Sequence, residues 1–84
     1  MPCVKRLNKL GIYIHYEDHP PPHFHVRLAG SEVKIRIGDL GVIEGQLAPR
    51  PLRRVRRWAE HHQKALTTRW EQASRHERLS PIQD

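Results

Sequence analysis

The chain has a single cysteine, Cys3, and that count alone removes several possibilities. No intrachain disulfide can form, no Cys-pair zinc spacing exists, and a lone thiol suits a reducing compartment. Also missing is any run of about eighteen apolar residues, the length a membrane-crossing helix needs. The first ten residues, MPCVKRLNKL, lack the apolar stretch of a secretory leader. A soluble, cytoplasmic protein is the expectation. There are no internal repeats and no low-complexity linker, and 84 residues suffice for one domain but not two. A domain of this size buries only about 60–65% of its unfolded surface, so a homodimer would be one way to enlarge a small core.

Acidic residues are scarce in one region. Between residues 49 and 78, nine basic residues (Arg50, Arg53, Arg54, Arg56, Arg57, Lys64, Arg69, Arg75 and Arg78) meet only Glu60, Glu71 and Glu77. The rest of the chain has six basic and six acidic residues, so the whole net charge of +6 lies in the C-terminal third. A segment of this kind suits an anionic partner, either nucleic acid or an acidic protein surface. Its plainer role is a solvated helix face on which Glu60 pairs with Arg56 or Arg57.

What is present is patterned. Apolar residues alternate in GIYIHYE (Ile12, Ile14, Tyr16), in HFHVRL (Phe24, Val26, Leu28) and in EVKIRIG (Val33, Ile35, Ile37). Period two in β-branched and aromatic residues predicts half-buried strands over about 11–17, 23–29 and 32–38, with a short fourth at 42–45. The AGS at 29–31 and GDLG at 38–41 supply tight turns, while the prolines of DHPPP belong in a loop because they cannot donate to a ladder. From Leu52 the period changes: Val55, Ala59, His62, Leu66 and Ala73 recur at helical spacing, flanked by Trp58 and Trp70. Pro49 and Pro51 fit a first helical turn. The predicted architecture is α+β: an antiparallel meander of three to four strands, with one long helix over about 50–74 packed on one face. The residues from 75 onward are expected to be loosely held.

Side chains two apart on a strand point the same way. With Phe24, Val26 and Leu28 turned to the helix, Tyr13, His15, His23, His25, Arg27, Lys34 and Arg36 are expected on a positively charged outer face. Three readings compete for it. His23 and His25, joined by His19 or Asp18 from the loop, could hold a zinc ion, the one cofactor this chain invites. Alternatively, His19, His23 and His25 could serve as general acid and base on RNA, with Asp18 orienting them and Arg27 stabilising phosphoryl charge. The third reading is structural: solvent-exposed strand histidines, a stiff HPPPH turn, and a docking surface without chemistry. On the helix, Arg50, Arg54 and Arg57 align, as do Arg53 and Arg57, near the positive end of the helix dipole. That unfavourable placement invites an anion or an acidic partner. Trp58 and Trp70 read as core or interface aromatics rather than base-stacking platforms.

Several of these elements form a family signature. Asp18, His19, Pro21, Pro22, His23, Phe24, His25 and Val26, then Glu44, Gly45 and Leu47, then Arg53, Val55, Trp58, Ala59 and His62 resemble the motifs of DUF4160, a family of short bacterial proteins. One departure is the extra residue before proline in QLAPRPL. The resemblance implies a small basic partner in a toxin–antitoxin-type arrangement, acting on RNA or on translation, with a cognate small protein encoded nearby. It carries over no catalytic residue.

Overall fold

The computed structural model describes residues 2–83 of the chain. Five strands form one antiparallel sheet in which spatial order equals chain order: β1 (Cys3–Leu7), β2 (Leu10–Tyr13), β3 (His23–Leu28), β4 (Ser31–Arg36) and β5 (Val42–Gly45). Two helices follow, α1 (Pro49–Glu60) and α2 (Gln63–Ser74). The α+β architecture and the meander agree with the sequence. Two details are corrected.

The expected three or four strands are five, because the chain opens with a strand that alternation does not announce. β1 shifts register against β2 between Cys3 and Lys5, which breaks the period-two signal around the fully buried Val4. Its hairpin turns at Asn8, whose φ of 61° falls in the left-handed region that asparagine tolerates better than most residues. The expected single helix over 50–74 is two helices of twelve residues each. A straight helix of 25 residues would be about 37 Å long, more than the 33 Å of the molecule's longest dimension. The break lies at His61 and His62. The His62 Nδ1 donates to the Trp58 carbonyl oxygen at 2.7 Å, an acceptor that the His61 amide also uses at 3.1 Å as α1 ends. Gln63 then pins the start of α2 to the sheet through bonds from Nε2 to the Ile37 and Gly38 carbonyls.

The core lies between sheet and helices. Ile12, Phe24, Val26, Val33 and Ile35 from the sheet, with Ile14 just beyond β2, meet Val55, Ala59, Leu66 and Ala73 from the helices. Burying one such large side chain stabilises by roughly 1.5–3 kcal/mol. Strand parity therefore holds where Phe24 and Val26 face inward. The first predicted strand, however, ends early: β2 stops at Tyr13, and Tyr16 is exposed rather than inward-facing, in a turn where Glu17 adopts φ 54°. Residues beyond 75 also depart from the expectation. Leu79 and Ile82 are buried in the core, and the Ile82 amide donates to the Val4 carbonyl at 2.7 Å along the edge of β1. The hairpin between β3 and β4 is the two-residue turn Ala29–Gly30, with φ of 47° and 86°, the positive pair that matches strand twist.

Candidate functional site

His23 and His25 do project from the face opposite Phe24 and Val26, but that face is not open to water at this end. His23 is 4% exposed and His25 3%. The loop between β2 and β3 folds over them and brings Asp18 down onto their rings. The Asp18 Oδ2 accepts from His23 Nε2 at 2.9 Å and from His25 Nε2 at 3.1 Å, while Oδ1 accepts from the His19 amide. His15, from just beyond β2, stacks on His25 with ring centroids 3.7 Å apart and planes 4° from parallel. Trp70 of α2 packs against His23 at 5.1 Å. The structure thus brings together Asp18, His23 and His25 and adds His15 to them. The side chain of His19 stands exposed, outside the cluster.

The remaining ring nitrogens are engaged as well. His23 Nδ1 donates to the Pro21 carbonyl oxygen at 2.8 Å, and His25 Nδ1 meets the Glu32 Oε2 at 3.0 Å. All four nitrogens of the two buried rings lie within hydrogen-bond distance of an oxygen acceptor, two of them sharing Asp18 Oδ2. Burial acts to raise the Asp18 carboxyl, but bonds from His25 and the His19 amide, then the charge and bond of His23, outweigh it and hold the pKa at about 2. At Glu32 burial likewise opposes, and bonds from Arg27 and His25 prevail to lower the carboxyl. His15 is lowered, first by burial and then by the like charge of His25 against which it stacks.

These contacts limit the chemistry. General acid–base work on a substrate needs a ring nitrogen within reach of it, and those of His23 and His25 are buried and already bonded. Metal ligation meets a different obstacle. His15, Asp18 and His25 each place a potential ligand atom within 4.8 Å of the others. An imidazole nitrogen directs its lone pair along its own ring plane, however, and one ion cannot lie in two parallel planes stacked face to face. As stacked, His15 and His25 cannot both ligate one ion. The His15 Nε2 is buried without a hydrogen-bond partner among the described residues.

The outer face is also less positive than expected. Lys34 pairs with Glu44 at 3.1 Å across β4 and β5, Arg36 pairs with Asp39 at 2.9 Å, and Arg27 pairs with Glu32 at 3.0 Å while lying over the Tyr13 ring. Cross-strand register places a carboxylate beside Arg27 and Lys34, and the turn after β4 places one beside Arg36, an effect that charge counting along the chain does not reveal.

The arginines of α1 are placed differently. Arg50, Arg53, Arg54 and Arg57 line an open groove of about 540 Å³, together with Lys9 from the β1–β2 turn. Leu7, Leu10, Leu28 and Pro51 complete the lining. None of these five cations makes a hydrogen bond or ion pair with another described residue, and Glu60 pairs with neither Arg56 nor Arg57. Arg56 instead donates to the Leu40 carbonyl. α1 begins without acidic residues in its first turn and without a capping side chain. Leu7, Lys9 and Leu10 were absent from the sequence-based site, since their nearness to α1 depends on the missed first hairpin.

No helix among the described residues is long and apolar enough to cross a membrane. No curated protein and no solved structure matches the chain. A family model does match, over residues 10–71, a span that holds the histidine cluster, the Glu44–Gly45 link and the whole of α1. On that match the chain belongs to DUF4160, a domain of unknown function.

Proposed function

We propose that this protein is a non-enzymatic binding module, the basic member of a toxin–antitoxin-type pair, and that α1 docks a cognate protein encoded nearby. One observation carries the reading: four arginines share a helix face beside a groove and have no acidic partner within the described fold. Unpaired guanidinium groups crowded on one helix face repel one another, with Arg50 also set against the positive end of the helix dipole, and an acidic partner relieves that repulsion on binding. The alternative, RNA processing by His19, His23, His25 and Asp18, has less support. It asks for open imidazoles where the rings are buried and bonded, and for free cations at Arg27, Lys34 and Arg36 where each is paired.

Co-expression with the adjacent gene product tests the proposal. The complex should be lost when Arg53, Arg54 and Arg57 are all changed to Glu, with the fold intact by circular dichroism. An unchanged complex would rule out this face.

A further inference from the structure

The groove beside α1 is more specific than a basic patch. Its cations sit above an aliphatic floor, in which Leu10 is buried while Leu7 and Leu28 are half-buried and reach the surface. An aliphatic floor favours an aliphatic side chain as its occupant. No aromatic ring lines the groove, so a nucleobase would find nothing to stack on. The arrangement is also no phosphate cradle built from backbone amides. Pro49 and Pro51 have no N–H, and the Leu52 amide is already bonded to the Ala48 carbonyl at 3.0 Å. Recognition falls to guanidinium groups, which match carboxylates in paired hydrogen bonds. From Arg50 to Arg57 these run along about 10 Å of helix. That spread exceeds what a single acid headgroup spans and suits a series of carboxylates.

Resting on the docking reading above, the geometry points to an acidic, amphipathic protein segment as the occupant of this groove. One or two of its aliphatic side chains seat on Leu7, Leu28 and Pro51. Its carboxylates pair with the α1 arginines and with Lys9. Apolar anchorage then supplies selectivity over other polyanions, which the cations alone would not distinguish.

The test is a titration of isotope-labelled protein, followed by amide NMR, with three probes of equal net charge. The first is a fourteen-residue glutamate-rich peptide with leucines at helical spacing. The second is the same peptide with its leucines changed to serine, and the third is a single-stranded oligouridine. The leucine peptide should bind at least tenfold more tightly than either other probe and shift the amides of Leu7, Leu28 and Arg50. Leu28→Gln should abolish that tenfold advantage while leaving the affinity for the serine peptide unchanged. Lys9→Glu, on an exposed turn where folding is not at risk, should weaken both peptides. Equal binding of the leucine and serine peptides would overturn the amphipathic occupant and leave the docking proposal standing, since the charge-reversal experiment tests that separately. Tightest binding by oligouridine would overturn it in favour of RNA.

Discussion

Arg27, Lys34 and Arg36 on the sheet and the four arginines of α1 that line the groove carry the same charge, yet their surroundings differ. Each sheet cation has a carboxylate at 2.9 to 3.1 Å, delivered by strand register or by a tight turn. The helix cations have none among the described residues. Exposed pairs of the first kind contribute about 0–1 kcal/mol each to stability, but they also neutralise the surface. Unpaired cations of the second kind cost the fold a little and stay available to a partner. Where two regions are both rich in cations, pairing separates the surface that is already neutralised from the surface that stays charged.

The widest gap between the regions should appear when the carboxylate shared by the two buried histidines is removed. Asp18→Asn leaves His23 and His25 facing a neutral amide in place of that carboxylate, and urea denaturation should register a loss of about 2–3 kcal/mol. A loss below about 1 kcal/mol would mean that the rings do not depend on this carboxylate.

A smaller effect follows from pH. The Asp18 pKa is depressed to about 2 in the folded chain. Its stabilisation is therefore complete above the ordinary carboxylate range near pH 4 and is lost as pH falls through about 2. With allowance for solvent screening, the contribution is about 1–2 kcal/mol. Glu32 and Asp39 are lowered too, so the diagnostic quantity is the difference between wild type and Asp18→Asn. That difference should shrink between pH 5 and pH 2; a constant difference would sink the linkage.

The smallest effect has the opposite sign. Arg50→Glu places an acid in the first turn of α1 and removes one of the crowded cations. Thermal denaturation should show a gain of about 0.3–1 kcal/mol, together with weaker capture of the partner. A loss of stability would indicate that Arg50 is engaged within the fold after all.

Much of this was legible beforehand, for physical reasons that also explain the omissions. Alternation in HFHVRL and EVKIRIG located β3 and β4, since one face of each must leave water. Spacing of Val55, Ala59, Leu66 and Ala73 located the buried helix stripe, although periodicity alone cannot say that the stripe bends at His62. β1 stayed hidden because its register shift breaks the alternation. Parity already grouped His15 with His23 and His25, while nearness in sequence favoured His19; parity is the better guide, because a side chain's direction is fixed by its strand. Glu32 was recoverable too, since a two-residue turn at Ala29–Gly30 sets Arg27 opposite it. Burial of the histidines was not, because it depends on where the loop and Trp70 come to rest.

The sheet's neighbour-to-neighbour pairing bears on how the molecule assembles. Each strand finds its partner by closing a short loop, which keeps the entropy lost at every step small and the contact order of the sheet low. One joint is of another kind: the hydrogen bond from Ile82 to Val4 unites positions almost eighty residues apart. Its formation waits on everything between, so it acts as the clasp that fastens a necklace already strung.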